Sequence, residues 1–171
     1  MRLANQMKYL PNASMLALAL ICLFPPMQAE NLTPKQLMGW KQELIKIEKV
    51  FPSGNTIRDP IIINTYIADT PTKRTQGLMH VQDLPENEGM LFVFRPPRYV
   101  SMWMKNTVIS LDIVFIKADG TIAHLHQEAK PLSMQSIPSM HKVKWVLELK
   151  AGVVEKLKIR PGDKLVRDQT D

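Results

Sequence analysis

The chain contains 171 residues, carries a formal net charge of +6 and has one cysteine. This length suits a single domain, and one cysteine excludes a disulfide framework and a thiolate-rich metal site. The basic residues are scattered among acids without interleaved aromatics, which argues against nucleic-acid binding.

The first 29 residues are predicted to be a cleaved export signal. Arg2 and Lys8 precede an apolar run over residues 15–24, and no acidic residue occurs before Glu30. The run has the length of a signal-peptide core and falls short of the ~20 apolar residues that a membrane-spanning helix needs. Cleavage before Glu30 would also remove the cysteine, so we expect a periplasmic or secreted protein without thiols and without a stable membrane span.

Residues 30–55 are predicted to form an N-terminal helix and a linker. Thr33 suits the cap of a helix and Pro34 its first position. Four apolar residues then recur at spacings of three and four, the period of one helix face: Leu37, Trp40, Leu44 and Ile47. Such a stripe usually packs on the chain's own domain, and docking to a partner is the alternative.

Residues 56–171 are predicted to form a β-rich domain. Residues 61–68 are rich in β-branched side chains, which favours a strand. Thr70 and Pro71 then begin a short helix, which Gly77 ends in the left-handed conformation. Six further strands are predicted from apolar runs between turn signals, over residues 90–94, 99–104, 111–117, 121–127, 143–149 and 164–166.

The segments between these strands are predicted from their turn residues. The prolines of residues 95–98 interrupt an extended run, residues 133–140 form a flexible loop, and residues 153–157 form a short helical turn. Residues 111–116 are apolar on both faces apart from Asp112, so this strand lies centrally or lines a closed barrel. The fold class is therefore α+β and β-rich. It is a single compact barrel-like domain of six to seven short strands with one or two short helices, preceded by the N-terminal helix.

Several short motifs follow one another along this domain. They are Arg74, Gly77-Leu78-Met79, residues 89–94, residues 103–107, Leu111-Asp112-Ile113, Asp119-Gly120, residues 146–149, Gly152 and Gly162-Asp163. With these motifs the chain resembles the exported family known as domain of unknown function 192, over residues 57–166. Ser110 departs from the family pattern, which often places proline before Leu-Asp. The resemblance implies a compact β-rich, barrel-like domain in the cell envelope or outside the cell, and it implies no particular activity.

Two carboxylates, Asp112 and Glu148, lie in apolar sequence, where a charge has to be paired or its pKa has to shift. Arg74, Lys105 or the backbone amides of the turn at residues 105–107 are their expected partners. In a catalytic interpretation, one carboxylate is the general acid or base and Lys105 sets its charge state. In a structural interpretation, the group is an ion-pair network that locks a turn.

These polar side chains are also predicted to meet at one end of the barrel, where they hold a small polar ligand or a segment of an envelope protein. The predicted ligand-binding residues are Arg74, Trp103, Lys105, Asn106, Asp112 and Glu148. Arg98 and Tyr99 join Trp103 in a shallow aromatic and guanidinium surface that suits a sugar or a peptide.

Thioether and imidazole side chains form a candidate Cu(I) site. Met102 and Met104 share one face of a predicted strand, and His124 and His126 share one face of another. Such ligands suit Cu(I), although methionine is also an ordinary core residue. Apart from Cu(I), no cofactor is expected.

The sequence favours a non-catalytic binding module of the cell envelope. One alternative is an acid/base enzyme acting on envelope glycans, with Asp112 or Glu148 as the reacting group and Lys105 beside it. The other alternative is a Cu(I)-binding protein. The sequence has no glycine-rich phosphate loop, serine nucleophile elbow or His-Glu-x-x-His zinc motif, so nucleotide chemistry and serine hydrolysis are not expected.

Overall fold

The computed structural model describes residues 35–51 and 59–167. These residues belong to one compact unit that runs from Leu32 to Asp171. The predicted export signal, the predicted helix cap at Thr33 and Pro34 and most of the predicted linker turn lie outside the described residues. Within those two ranges, no helix is both long and apolar enough to cross a membrane.

The described residues form one curled, half-barrel sheet of seven strands and a separate two-stranded ribbon. The strands are β1 (Gln42–Glu48), β2 (Ile61–Ala68), β3 (Glu88–Arg98), β4 (Ser101–Met102), β5 (Leu111–Ile116), β6 (Ile122–Ala129), β7 (Ile137–Pro138), β8 (Val143–Lys150) and β9 (Lys164–Arg167). The helices are α1 (Pro71–Gln76), α2 (Val153–Lys156) and a single 3-10 turn at Lys35–Leu37.

The sheet has the strand order β6-β5-β8-β3-β2-β1-β9, and β4 pairs with β7 in the ribbon. All pairs are antiparallel except β2 and β3, which are parallel. A parallel pair needs a crossover connection, and α1 lies in the segment that joins β2 to β3. The predicted β-rich, barrel-like fold class is thus confirmed.

The short helix α1 begins and ends where its capping residues predict. The Thr70 hydroxyl accepts a hydrogen bond from the Lys73 amide at 3.2 Å, which satisfies one free N–H of the first turn. Gly77 ends the helix with φ 49° and ψ −138°. This conformation differs from the predicted left-handed helical one, but its positive φ equally favours glycine.

The predicted N-terminal helix is wrong over residues 42–48, which form strand β1 between β2 and β9. Glu43, Ile45 and Ile47 are buried, whereas Leu44 is 62% exposed. The side chains therefore alternate with a period of two instead of following the helical stripe that includes Leu44. Pairing with a strand on each side outweighs the local pattern here.

Glu43 conceals the alternation of β1, because it places a carboxylate at an inward position. Lys41 lies 2.7 Å from one carboxylate oxygen, and Arg167 on β9 lies 2.5 Å from the other. Burial acts to raise the pKa of Glu43, but the hydrogen bonds with Lys41 and Arg167 outweigh it and hold the pKa below its ordinary value. The ion pair with Arg167 joins β1 to β9.

Two smaller differences concern the prolines and the loops. Strand β3 continues to Arg98, although its pairing with β8 is irregular between Val93 and Arg98. The strand predicted over residues 99–104 shrinks to β4, and the loop predicted over residues 133–140 contains β7. Both corrections have the same cause. Strands β4 and β7, which are far apart in the sequence, pair with each other.

The sheet carries an apolar layer on each face. The inner layer takes side chains from all seven strands of the sheet and from α2. The outer layer covers β2, β3, β5, β6 and β8, and its remaining members come from the connections and the ribbon, such as Leu78, Met104 and Ile137. Strand β5 contributes to both layers and has β6 and β8 as neighbours, which confirms that it is not an edge strand.

Gly120 lies where the two edges of the sheet meet. The Leu165 amide on β9 donates to the Gly120 carbonyl at 2.8 Å, and Thr121 is bridged to Lys164. Gly120 has φ +84°, and a Cβ atom there would lie 2.5 Å from the Leu165 carbonyl oxygen. No side chain fits without moving the backbone of β9.

Gly120→Ala is expected to lower the free energy of unfolding by about 2–4 kcal/mol, because a positive φ costs alanine roughly 1 kcal/mol and the backbone clash adds to it. Gly162→Ala is the matched control, since Gly162 has φ +97° but no atom within 4 Å of its Cβ position. Urea unfolding of both variants separates the cost of the backbone clash from the cost of the positive φ. Equal losses of unfolding free energy in the two variants would show that β9 moves away from the new side chain without cost.

Candidate functional site

A cleft of about 310 Å³ opens on the outer layer. One wall is α1 with the residues that follow it, and the other wall is the segment from Arg98 to Thr107. Phe92 and Phe94 of β3 and Glu148 of β8 contribute the floor. The β2–α1–β3 crossover and the β4–β7 ribbon therefore place side chains from distant parts of the sequence around one space.

Three cationic side chains line this cleft: Arg74, Arg98 and Lys105. Arg74 is fixed in place, because its guanidinium donates to the carbonyl oxygens of Asp69 at 2.8 Å and Val93 at 2.9 Å. Burial and then the charge of Arg98 lower the pKa of Arg74. Arg74 and Arg98 belong to opposite walls, and their two like charges are held close together over the Phe94 ring.

Aromatic rings support the cations. The guanidinium carbons of Arg74 and Arg98 lie 5.5 and 5.2 Å from the centroid of the Phe94 ring. The Lys105 ammonium lies 5.8 Å from the centroid of the Trp103 ring. Such contacts orient a cation without neutralising it. Within the described residues, none of the three cations forms an ion pair with a carboxylate.

Of the residues that the structure describes, Glu148 is the only acidic one that lines the cleft. It lies on the outer face of β8, opposite Met90 on β3 and Ile113 on β5, and only 4% of it is exposed. No described residue donates a hydrogen bond to its carboxyl group. Burial raises the pKa of Glu148 to about 8, so at neutral pH this group is an uncharged acid that can donate a proton or a hydrogen bond.

A second, more open hollow of about 610 Å³ lies against the other side of α1. Its lining includes Gln36, Thr72 and His80, and no Lys, Arg, Asp or Glu from residues 35–51 or 59–167 belongs to it. The smaller cleft is the better candidate site, because it combines enclosure with fixed charges and a buried titratable group.

Comparison with known proteins places this arrangement in a family. A family model described as uncharacterized ACR, DUF192, matches residues 55–167. The chain belongs to the DUF192 family. The match starts after β1, so β1 extends the sheet of the DUF192 domain beyond the matched residues. No match was found among curated proteins.

Two solved structures resemble this DUF192 protein. One is a crystal structure from Sinorhizobium meliloti of a protein named as a candidate transcription regulator. It is 40% identical, has a TM-score of 0.67 and covers 75% of this chain and 95% of its own. The other is a protein of unknown function from Novosphingobium aromaticivorans. It is 29% identical, has a TM-score of 0.69 and covers 78% of this chain and 91% of its own.

Four of the predicted ligand-binding residues meet in the cleft of the DUF192 domain: Arg74, Trp103, Lys105 and Glu148. The expected pairing of Glu148 with Arg74 or Lys105 is wrong, since burial alone shifts its pKa. Asn106 lies beside the cleft with φ 56°, and its carbonyl accepts from the His80 amide at 2.9 Å. It shapes the turn that carries Lys105.

Asp112 does not reach the cleft, so the prediction that it joins the other polar residues is wrong. The pairing register places Asp112 opposite Leu149, whereas Ile113 lies opposite Glu148. Neighbours along a strand point to opposite faces, so Asp112 faces the inner layer while Glu148 faces the outer one. It is fully buried, and its two carboxylate oxygens accept from the amides of Glu128 and Val154, each at 2.9 Å.

The four candidate Cu(I) ligands of this DUF192 protein do not come together in the cleft. Met102 lines the cleft, and Met104 is fully buried in the outer layer. His124 stacks on Phe115 with ring centroids 5.7 Å apart, and His126 pairs with Ile113, so neither contributes to the cleft lining. Among the described residues, no group of three His, Cys, Asp or Glu side chains could hold a metal. Cu(I) binding stays a prediction.

The aromatic surface predicted at Arg98, Tyr99 and Trp103 divides in two. Arg98 and Trp103 line the cleft, while Tyr99 is exposed beyond it. Two cleft residues were not predicted: Phe94, whose ring lies beneath both guanidinium groups, and Gln76 on α1. A weak signal was present, since Arg74 and Gln76 lie near Gly77 at the end of the predicted helix.

Proposed function

We propose that this protein is an exported binding module whose cleft holds a small anionic ligand. The observation that carries the proposal is the charge of the cleft. Among the described residues, Arg74, Arg98 and Lys105 line it without forming an ion pair, and only Arg74 has an acidic side chain, Asp69, acting on it from nearby. The one described acid in the lining, Glu148, is neutral at pH 7. A bound anion therefore supplies the negative charge that pairs with these three cations.

The shape of the cleft limits the ligand to a small molecule. A volume of about 310 Å³ lies at the lower end of ligand pockets. Phe92, Phe94 and Met102 add apolar surface beside the cations. This combination suits an acid that carries a short apolar part, with its carboxylate or phosphate between the guanidinium groups. An acidic side chain of an envelope protein segment presents the same chemistry.

Glu148 has a defined part in this binding. A neutral carboxyl group on the floor can donate a hydrogen bond to an oxygen of the anion, whereas an ionised one would repel it. Glycan hydrolysis is less well supported, because that reaction usually takes two carboxyl groups flanking one bond. Here Asp112 is sealed on the other face of the sheet, which leaves Glu148 alone.

The proposed location rests on the sequence. The apolar run over residues 15–24 and the absence of acidic residues before Glu30 support export to the periplasm or the medium. The regulatory description of the Sinorhizobium meliloti protein is not extended to this chain, since an enclosed cleft with an apolar floor suits a small molecule better than a nucleic acid.

A thermal-shift screen at pH 7 tests the proposal. Small carboxylates and phosphate monoesters are each compared with the matching neutral amide or alcohol. We expect a subset of the acids to raise the melting temperature and the neutral partners to leave it unchanged. For such an acid, Arg98→Gln or Lys105→Gln should weaken binding about tenfold or more, because each removes a charge-assisted hydrogen bond.

Lys117→Gln is the matched control, since Lys117 is exposed and does not line the cleft. It should leave both the melting temperature and the affinity unchanged. A screen in which no acid binds, or in which the neutral partners bind as tightly, would contradict the proposal.

A further inference from the structure

We infer that the outer surface of the β4–β7 ribbon docks on an anionic lipid surface. This inference concerns a surface beside the cleft, and it does not depend on any ligand in the cleft. It starts from the alternation of side chains along the ribbon. Val100, Met102 and Ile137 face the outer apolar layer, so the residues between them point away from the domain.

Three large side chains occupy the outward positions: Tyr99, Trp103 and Met140. Tyr99 and Met140 lie at one end of the ribbon, since Val100 and Ser139 exchange hydrogen bonds there. Trp103 lies towards the other end, next to the Met104 amide, which donates to the Ser133 carbonyl at 3.0 Å. Large side chains thus occur towards both ends of the outward surface, with Ser101 and Pro138 between them.

The same surface continues into the following loop. The Leu132 amide donates to the Thr107 carbonyl at 2.9 Å, which brings residues 132–134 beside the end of the ribbon. Five side chains then form what we term the ribbon face, each between 48% and 65% exposed: Tyr99, Trp103, Leu132, Met134 and Met140. An exposed apolar group of this size on an otherwise well-packed domain indicates a surface that is covered in use.

The two chain segments that contain the ribbon carry charge of one sign, and exposed Glu128 lies just before the second of them. Residues 95–110 and 130–142, which contain the ribbon, include five basic residues and no acidic one. The basic residues are Arg95, Arg98, Lys105, Lys130 and Lys142, and all are exposed. A partner that accepts this face therefore has to be anionic and has to tolerate apolar insertion.

An anionic lipid surface meets both requirements. Tryptophan and tyrosine are enriched at membrane interfaces, where the ring enters the headgroup region. Lysine and arginine reach lipid phosphates on long flexible stems. A lipid surface also accepts apolar side chains that are spread along a ribbon, whereas a folded partner needs a complementary groove for them. Trp103 and Lys105 also line the cleft, so docking would bring the cleft close to the lipid.

Sedimentation with vesicles tests the inference. The chain from Glu30 is used, because the apolar run over residues 15–24 would itself enter lipid and residues from Leu32 onward form a compact unit of their own. Vesicles of phosphatidylcholine with and without phosphatidylglycerol are compared at low and high salt. We expect binding to the anionic vesicles that is lost at high salt.

Two sets of variants assign the binding to this surface. The apolar variant combines Tyr99→Ser, Met134→Ser and Met140→Ser, and it should reduce partitioning into vesicles at least tenfold. The single variants Lys130→Gln and Lys142→Gln should each reduce partitioning roughly fivefold. The apolar control combines Met38→Ser, Leu44→Ser and Ile62→Ser, whose side chains are similarly exposed but lie outside the ribbon, before β1, on β1 and on β2. The charge control is Lys117→Gln, and both controls should bind like the unaltered protein.

Trp103 gives an independent readout. The tryptophan fluorescence of the bound protein should shift to the blue and be quenched by brominated lipid, and the bound fraction of Trp103→Phe should show no such quenching. Failure to bind anionic vesicles, or equal binding by face and control variants, would overturn the inference. So would a concentration-dependent dimer that the face variants abolish, or retention on duplex DNA or an acidic protein in place of vesicles.

Discussion

Asp112→Ala is expected to lower the free energy of unfolding by about 2–5 kcal/mol at pH 7. The alanine leaves the partly buried amide of Glu128 and the buried amide of Val154 without acceptors, and each unsatisfied donor costs roughly 1–3 kcal/mol. Val154 lies in the first turn of α2, where a carboxylate is a favoured acceptor. Glu128 has φ 52° and lies in a strand whose pairing with β5 is irregular. Asp112 therefore ties α2 and β6 to β5.

Urea unfolding measures this loss, and two further variants define its cause. Asp112→Asn keeps one carbonyl oxygen as an acceptor and should lose about half as much stability, since its side-chain nitrogen cannot accept a hydrogen bond. Asp119→Ala removes an exposed carboxylate that caps Thr121 and should cost less than about 1 kcal/mol. If Asp112→Asn left stability unchanged and abolished binding of an acid found in the screen, a functional role for Asp112 would replace the structural one.

Glu148→Gln is expected to stabilise the protein at high pH and to leave it nearly unchanged at pH 4. The pKa of Glu148 is about 8 in the folded chain and near 4.5 once unfolded. Below the lower value both states hold the proton. Between the two values the unfolded chain releases its proton and the folded chain retains it, so stability falls by about 1.4 kcal/mol per pH unit. The accumulated penalty at pH 9 is on the order of 5 kcal/mol.

The glutamine variant lacks this titration, so its unfolding free energy measured at pH 4, 6, 7.5 and 9 should diverge from that of the unaltered protein as pH rises. Taking the difference between the two proteins removes the contribution of the other acids. Glu155→Gln, at an exposed position on α2, should give parallel curves. Parallel curves for Glu148→Gln would mean that its carboxylate is charged and solvated in the folded protein. For an acid that binds in the cleft, affinity should also persist at pH 9 only in the glutamine variant.

Most of the fold could be predicted because its signals are local. The β-branched run of β2, the Thr70 cap of α1 and the turn at Gly120 each lie within a few residues of the structure that they determine. Strand β1 could not be predicted, since Glu43 and Leu44 reverse the expected alternation there. Only the pairing of β1 with β2 and β9, and the ion pair with Arg167, settle its conformation.

The candidate site divides in the same way. The burial of Glu148 follows from its apolar neighbours in the sequence. The position of Arg74 follows from its place in the predicted helix α1. The separation of Asp112 from Glu148 depends on which face of the sheet each residue occupies. A strand that is apolar on both faces, as β5 is, contains no alternation from which that face could be deduced. The pairing register of β5 with β8 determines which face Asp112 occupies.

The order of the strands in the sheet has a consequence for synthesis. Strand β9 is the last strand of the domain, yet it completes the hydrogen bonding of β1, the first strand. The inner apolar layer, to which Leu165 of β9 contributes, is therefore incomplete until all seven strands of the sheet have been synthesised. Contacts between the two ends of the domain have to form late, which favours folding of the whole sheet in one cooperative step.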